Sequence, residues 1–441
     1  MTQRASQKRA LILACKELDH VRRPGKLATY LAAQGYEVDV QCFSKDPKVK
    51  SDNIKFTEIH HVSPLEILYD KYLRFRSRGE NFLSASPTYK AKLATLTAVP
   101  FFWLWSLAGL VLRLLSPKLY THMNAKLIEK LKSSFRRSKN LHFAKEGEAL
   151  IKASGYKYDL ILCHDLYPLS YAVTLKAQHQ SRLWLDIVDH PFIRSYMEVN
   201  SIKLPSDSER ASFLQNTLKS DLILTALSEM PQLDFGELPI EVILNFHSKS
   251  TLKPKHPPVL VSSERHNFAM AGSHFRSTGV LRAISFIETY PQACSFDIIG
   301  RFIRPAHRAE VLAMIKEKGL DSKVTLRASL PADELRRELL KKTAILVPFD
   351  PEHPNLKTIL PNRLFDAMRA MVPVIAQKGT ATGNWVDAQQ VGIATDFYKP
   401  DAAGVATQNY LSQADSARRS FCRVNDAFNW ETEVRKLDKY L

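Results

Sequence analysis

The chain has 441 residues, too many for one ordinary hydrophobic core, so its length predicts two domains. A hydrophobic fraction of 45% and a mean hydropathy of −0.21 are typical of a soluble globular protein. The 62 Lys and Arg residues against 45 acidic ones give a net charge of +17, which favours a phosphorylated substrate or an acidic membrane surface. No basic helix is interleaved with aromatic residues, so the pattern excludes a nucleic-acid reader.

The cysteines and the N-terminus indicate the compartment. The five cysteines are an odd number, and no pair has metal-ligand spacing. The opening "MTQRASQKRALILAC" holds too short an apolar run for a signal peptide. We therefore expect a protein of the reducing cytoplasm.

The first elements alternate between strand and helix. "ALILAC" predicts a buried strand, "PGKLATYLAAQ" predicts a helix ended by Gly35, and "YEVDVQCFS" predicts the next strand. Residues 60–150 interrupt this rhythm. Within them, 93–112 carry no charge over a stretch that a helix would extend to about 30 Å, enough to cross a bilayer.

Three interpretations of 93–112 stay open. The segment spans the membrane, lies in the membrane interface as a helix or hairpin, or is buried between subunits or domains. A single crossing would place the strands before and after it on opposite sides of the membrane, so we favour the interfacial helix or hairpin. The aromatic residues predicted to contact the membrane are Phe101, Phe102, Trp103 and Trp105. This segment predicts a peripheral protein on the inner face of the cytoplasmic membrane.

The alternation of strands and helices resumes after the insertion. "YDLILCHD", "RLWLDIVDHPF", "SDLILTALS" and "IEVILNF" predict strands, and the Pro-, Lys- and Ser-rich residues 247–266 predict a linker. A second series follows, with strands at "NFAMAG", "FDIIG", "KVTLRA", "AILVPF", "VPVIA" and "GIAT", and helices over 279–289, 305–318, 331–341 and 362–371. The predicted fold is α/β: two doubly wound domains, 1–246 and 267–425, facing a central cleft, with a C-terminal helix over 426–441.

The helix predicted over 362–371 has an unusual polar side. Leu364, Phe365 and Met368 form its apolar face, whereas Asn362, Asp366 and Arg369 form a stripe on the other side. This stripe is either a ligand-binding face or a solvated one with an Asp366–Arg369 pair at i, i+3.

The second half resembles the donor domain of nucleotide-sugar glycosyltransferases of the GT-B fold, closest in pattern to the retaining glycosyltransferase family 4. The likeness rests on "NFAMAGSHFRSTGVLRAI", "FDIIGRF", "TAILVPF" and above all "PNRLFDAMRAMVPVIA", where Pro-Asn, a basic residue, Leu-Phe and an acidic residue precede a Pro-Val strand. The resemblance is fair over 267–441, loose over 10–45 and 158–246, and absent over 60–150.

The resemblance implies a nucleotide-sugar as substrate, no cofactor, and a set of donor-binding residues. Asp366 matches the carboxylate that bonds the ribose hydroxyls, and the helix start at Pro361-Asn362 would attract the diphosphate. The implied donor-binding residues are Gly272, Arg276, Arg301, Pro361, Asn362 and Asp366.

Two departures from the family pattern concern the donor. Thr358 stands where many members carry a second acidic residue, so the backbone of 355–359 would supply that contact. Arg276 matches the first basic residue of the phosphate loop, but its Lys partner is missing, and Arg301 would compensate. No Asp-x-Asp motif occurs, which predicts metal-independent chemistry with no metal site.

Acceptor residues are expected in the first half. The predicted catalytic residues are His164, Asp165, Asp189 and His190, at two strand ends expected to face the cleft, together with Arg276 for the leaving diphosphate. The alternative is that Asp165 caps the next helix and His190 is a satisfied turn residue. Arg22, Arg23 and Lys26 in the first loop would bind an anionic acceptor.

The sequence thus predicts a glycosyltransferase that moves a sugar to a lipid-linked or cell-surface glycan at an anionic membrane surface, with no nucleic-acid partner. A non-catalytic binding protein of the same fold and an epimerase-like hydrolase remain alternatives. The resemblance also implies retention of configuration at the transferred sugar.

Overall fold

The computed structural model describes residues 7–17, 23–45, 49, 51–59, 141–193, 207–227, 235–252, 264–412 and 414–441. Arg22, the four aromatic residues of the predicted membrane segment and most of 60–150 lie outside this part. Contacts divide the chain into two compact units, Met1–Arg182 and Leu183–Leu441. Within the described ranges, no helix combines the length and the apolar character needed to cross a membrane.

The first unit is built on parallel strands. Its elements are β1 (Arg9–Glu17), α1 (Arg23–Ala33), β2 (Glu37–Ser44), β3 (Ile54–Glu58), α2 (141–154), β4 (Leu160–His164) and α3 (Leu169–His179). β1 pairs in parallel with β2 and β4, and its residues 10–14 are fully buried. A continuous apolar run of this kind is expected where both faces of a parallel sheet are covered. β3 was not predicted from the sequence.

The second unit begins with the remaining strands of the first sheet. Its first elements are β5 (Arg182–Ile187), α4 (Asp207–Thr217), β6 (Leu222–Thr225), β7 (Ile240–Val242) and α5 (Lys249–Leu252). β6 pairs in parallel with β5 and β7. The strand order of this seven-stranded sheet is β3-β2-β1-β4-β5-β6-β7.

A six-stranded sheet of order β10-β9-β8-β11-β12-β13 follows, with every pair parallel. Its elements are β8 (His266–His274), a 3₁₀ turn (Arg276–Thr278), α6 (Val280–Thr289), β9 (Cys294–Phe302), α7 (Pro305–Glu317), β10 (Val324–Arg327), α8 (Ala332–Leu339), β11 (Ala344–Val347), α9 (Pro354–Thr358), α10 (Asn362–Ala370), β12 (Val374–Gln377), α11 (Ala381–Gln389), β13 (Gly392–Thr395) and α12 (Pro400–Leu411). The chain ends in α13 (Ala414–Ala427), α14 (Trp430–Val434) and a second 3₁₀ turn (Arg435–Tyr440).

The predicted fold class is confirmed. Both sheets wind outward from a central pair, β1·β4 in the first and β8·β11 in the second. The chain crosses from one side of each sheet to the other at this pair, and open α/β sheets bind ligands outside the strand ends at such a switch point. In the second sheet, a ligand site is therefore expected at the loop after β8 and at the elements that pack beside it.

The ends of β8 and β9 approach so closely that one position excludes a side chain. Gly272 and Gly300 are register partners, with φ values of 112° and 136°. A Cβ atom on Gly300 would lie 1.8 Å from the carbonyl oxygen of Gly272. The clash would be with backbone atoms of Gly272, so a rotamer change could not relieve it. Position 300 therefore requires glycine.

We expect Gly300→Ala to lower the free energy of unfolding by about 2 kcal/mol more than Gly319→Ala. Gly319 also has a positive φ, 61°, but open space surrounds its missing side chain. The Gly319→Ala control therefore loses only the conformational part of the stability, about 1 kcal/mol. Urea unfolding of both variants gives the comparison, and equal losses would show that the close approach at Gly300 contributes nothing.

Candidate functional site

The site centres on the N-terminus of α10. Pro361 is its N-cap residue with φ −80° and ψ 156°, and no side chain of the described residues caps the helix there. The apolar residues Leu364 and Phe365 anchor the first turns in the core, while Asn362 is exposed. A helix start that lacks a side-chain cap has backbone N–H groups and the positive end of the dipole available to an anion.

The polar stripe of α10 is divided between two neighbours. Asp366 Oδ1 lies 3.1 Å from His247 Nε2, and each side chain keeps about a quarter of its surface exposed, 26% and 25%. Asn362 Oδ1 accepts a hydrogen bond from Asn245 Nδ2 at 3.2 Å. The segment after β7 therefore pairs with the first two polar residues of the stripe, beside the helix start.

Arg369, the third residue of the stripe, points to another helix. Its guanidinium contacts the Asp333 carboxylate at 2.5 Å and donates to the Ala332 carbonyl at 3.2 Å, both in α8. The alternative Asp366–Arg369 pair is therefore wrong, because each residue pairs elsewhere. The stripe combines a buried structural contact at Arg369 with a partly exposed polar edge at the helix start.

The predicted phosphate-side residues lie at the ends of β8 and β9. Gly272 is exposed near the end of β8, and Arg301 is exposed and lies in β9 opposite Ser273. Arg276 in the following 3₁₀ turn has 56% of its side chain exposed and pairs with Glu310 Oε2 of α7 at 2.8 Å. The structure thus brings Gly272, Arg276 and Arg301 to the same strand ends, with Arg276 held by a carboxylate.

Sequence reasoning assigned no role to Arg363, which links the end of β8 to α10. Its side chain is buried, its Nη2 donates to the Ser273 carbonyl at 3.3 Å, and its guanidinium lies over the Phe349 ring at 4.9 Å. Burial lowers the pKa of Arg363 to about 10, against the opposing effect of the Asp366 carboxylate, so the group is cationic at neutral pH. The available signal was a basic residue directly before the apolar Leu364.

His274, at the end of β8, is also buried and next to this charge. Its Nε2 lies 3.1 Å from the Ile299 carbonyl, which can only accept, so Nε2 carries the hydrogen. Its Nδ1 has no partner among the described residues. Burial lowers the pKa of His274 from 6.5 to about 3, and the Arg363 guanidinium adds to that effect. The imidazole is therefore neutral at physiological pH.

His274 predicts a loss of stability in acid. The unfolded chain binds a proton at this imidazole below about pH 6.5, whereas the native state does so only near pH 3, so stability falls as the pH falls between these values. As the pH falls from 6 to 4.5, we expect the free energy of unfolding of wild type to decrease by roughly 2 kcal/mol more than that of His274→Gln, whose amide can still donate to Ile299. Parallel pH dependences in urea unfolding would contradict this assignment.

The predicted acceptor residues of the first unit lie near its strand and helix ends. His164 is buried at the end of β4, and Asp165 follows with φ 67° and accepts a hydrogen bond from the Leu166 N–H at 2.7 Å. The N-cap residue of α3 is Pro168, so Asp165 does not occupy the N-cap position of that helix. Arg23 is buried at the start of α1, with Lys26 half-buried one turn later.

Asp189 and His190 follow β5 in the second unit. Asp189 is exposed. His190 Nδ1 accepts the N–H groups of Phe192 and Ile193 at 3.2 and 3.1 Å, as a turn-stabilising residue does. The His190 backbone N–H also donates to Asn355 Oδ1 of α9 at 3.3 Å. The strand end is thereby tied to the short helix that precedes α10.

Comparison with known proteins gives structural matches only. No protein-family model matches the chain, and no curated protein matches it. Sucrose-phosphate synthase from Thermosynechococcus elongatus is 15% identical, with a TM-score of 0.59 over 98% of both chains. HepE from Anabaena, solved with UDP and glucose, is 12% identical, with a TM-score of 0.58 over 98% of this chain and 99% of its own.

A third structure extends this group. WaaG, a glycosyltransferase involved in lipopolysaccharide biosynthesis, is 12% identical, with a TM-score of 0.55 over 98% of this chain and 99% of its own. At such identities the likeness establishes the fold. The chain therefore has the GT-B fold that the sequence predicted, with one parallel sheet of seven strands and one of six.

Proposed function

We propose that the protein is a glycosyltransferase that moves a sugar from a nucleotide-sugar donor to a glycan acceptor. The observation that carries this proposal is the N-terminus of α10, where an uncapped helix start and the partly exposed Asp366 lie on one short element. Arg363, on the same turn, bonds the Ser273 carbonyl near the end of β8. The fold shared with HepE, which was solved with UDP and glucose, supports a nucleotide-sugar as the donor.

Asp366 is assigned to the ribose of the donor. Its carboxylate is acceptor-only when ionised and can bond two vicinal hydroxyls, which are donors. One of its oxygens contacts His247, while 26% of the side chain stays exposed. The ribose would therefore share the carboxylate with His247 or displace it, and His247 would hold the carboxylate in position when no nucleotide is bound.

The donor diphosphate is assigned to the positive groups around the loop after β8. The helix start at Pro361-Asn362 offers backbone N–H groups, and Arg276 and Arg301 offer exposed guanidinium groups. Negative charge develops on the diphosphate as the sugar–oxygen bond breaks, and fixed positive groups stabilise it most in that state. We propose that this arrangement replaces a metal ion and that configuration at the sugar is retained.

The acceptor is assigned to the first sheet. His164 is the last residue of β4 and Asp165 follows it, while Asp189 and His190 follow β5. A His or Asp at these places would orient or deprotonate an acceptor hydroxyl. Arg22, Arg23 and Lys26 would hold an anionic acceptor. A lipid-linked glycan diphosphate at the cytoplasmic membrane surface fits that charge, and polysaccharide or lipopolysaccharide assembly is the process that this acceptor implies.

Donor turnover by purified protein tests the proposal. Incubation with UDP-, GDP-, ADP- and CMP-linked sugars and a glycan acceptor should give a glycoside and one released nucleotide. Formation of free sugar or an epimer would favour a hydrolase or epimerase of the same fold. Nucleotide binding without any turnover across acceptors would favour a non-catalytic binding protein.

Membrane attachment is a separate part of the proposal and has its own test. Replacing Phe101, Phe102, Trp103 and Trp105 by Ser should release the protein from anionic vesicles, because these rings suit the interface. Turnover on a short soluble acceptor should survive. High salt should weaken wild-type vesicle binding only partly, since apolar contacts are not screened. Wild-type protein that floats with no vesicles would contradict the attachment.

A further inference from the structure

Arg363 is a buried cation whose bonding is incomplete. Only 7% of the residue is exposed, and the guanidinium makes a hydrogen bond through Nη2 to the Ser273 carbonyl. Nη1 has no hydrogen-bond partner in the described part of the chain. A buried charge is costly unless it is paired and hydrogen-bonded. Packing alone does not explain why a native fold keeps a buried and incompletely bonded cation at this position.

The surroundings of Arg363 do not neutralise it. Asp366, one turn along α10, is the carboxylate that acts on its pKa, but the Asp366 oxygen bonds His247. His274 is neutral, and among the described residues Arg363 forms no ion pair. Its remaining contact is the face of Phe349, where cation–π attraction holds the guanidinium plane in place. The charge is therefore fixed in position, and no ion pair within the described residues neutralises it.

Gly272 is the point where an anion can approach this charge. It is exposed, and a Cβ atom built on it would lie 3.6 Å from Arg363 Nη2. The missing side chain therefore leaves the exposed backbone near the end of β8 close to Nη2. The adjoining Ser273 carbonyl is bonded to the same Nη2, so Arg363 also holds the end of β8 against α10.

We infer that Arg363 is a donor-binding residue and adds a buried cation to the exposed Arg276 and Arg301 of the diphosphate subsite, acting on an anion bound over Gly272. This inference rests on the proposed function. The sequence offered Arg301 as the substitute for the Lys missing from the phosphate loop, but Arg301 is exposed, so water weakens its charge interactions. A guanidinium buried beside the end of β8 acts through a medium of lower dielectric constant, where each charge interaction is stronger.

The test compares nucleosides with their diphosphates. Calorimetric titration of wild type, Arg363→Gln and Arg363→Lys with uridine, UDP, guanosine, GDP, adenosine and ADP measures the nucleoside affinity and the diphosphate affinity separately. We expect Arg363→Gln to weaken binding of the preferred diphosphate at least tenfold and of its nucleoside less than twofold. Arg363→Lys should retain most of the diphosphate affinity because it keeps the charge.

A purely structural role would give a different pattern. Loss of nucleoside and diphosphate affinity by the same factor, or no loss of either, would overturn the assignment of Arg363 while leaving the proposed function intact. If Arg363→Gln fails to fold, Gly272→Ala provides the second test, because its methyl group would lie 3.6 Å from Nη2. The φ of 112° at this position adds a conformational cost, which urea unfolding of the variant measures. Gly272→Ala should then weaken diphosphate binding selectively. Wild-type protein that binds none of UDP, GDP, ADP and CMP would refute the proposed function and this inference together.

Discussion

Asp366→Ala should weaken nucleotide binding by about 2–4 kcal/mol, or roughly 30- to 1000-fold, while the fold stays intact. The loss is large because the carboxylate makes two charge-assisted bonds to the ribose in the proposed complex. The fold should survive because Asp366 is partly exposed and α10 is anchored by Leu364, Phe365 and Met368 in the core. Calorimetric titration with the preferred nucleotide measures the change.

His247→Gln is the matched control for Asp366. It removes the imidazole that contacts the carboxylate but leaves the carboxylate itself, so nucleotide affinity should change much less than in Asp366→Ala. A full loss of affinity in His247→Gln would show that His247, and not the carboxylate, recognises the nucleotide. Unchanged affinity of Asp366→Ala for every nucleotide tested would remove the basis of the ribose assignment.

Arg276→Ala should reduce donor turnover by about 100- to 1000-fold and nucleoside affinity by less than threefold. The difference arises because negative charge grows on the diphosphate as the bond to the sugar breaks, so the guanidinium matters most in the transition state. The variant should fold normally, since more than half of the Arg276 side chain is exposed. Steady-state kinetics together with nucleoside titration separates the two effects.

Glu310→Gln is the control for Arg276. It removes the carboxylate that holds Arg276 at 2.8 Å, so the guanidinium is freed for the donor and turnover should be maintained or increased. A loss as severe as that of Arg276→Ala would mean that the ion pair itself is required. Turnover should also survive EDTA, and activity that is abolished by EDTA and restored by Mg²⁺ or Mn²⁺ would refute the metal-free scheme.

Local patterns in the sequence were sufficient to predict the second sheet. Strand runs such as "FDIIG" and "AILVPF" and the helix over 362–371 correspond closely to β9, β11 and α10. These elements follow from hydrophobic periodicity and from Gly and Pro signals, which act over a few residues. β3 was missed because its five residues include Lys55, Thr57 and Glu58, so no continuous apolar run marks it.

The partners of the site residues could not be predicted in the same way. His247 lies 119 positions before Asp366, and Arg276 meets Glu310 only because α7 packs beside the turn after β8. Arg363 was overlooked because a single basic residue in an amphipathic helix usually lies on its solvated side. Its burial depends on Phe349 and Ser273, which come from two other parts of the chain.

Titration of the wild-type protein with UDP, GDP, ADP and CMP is the decisive experiment, because we propose that a nucleotide binds at the N-terminus of α10. We predict that one base is bound clearly better than the others and that Asp366→Ala loses this binding while unfolding at nearly the same temperature as wild type. Wild-type protein that binds none of the four, or an Asp366→Ala variant that binds the same nucleotide with unchanged affinity, would contradict it.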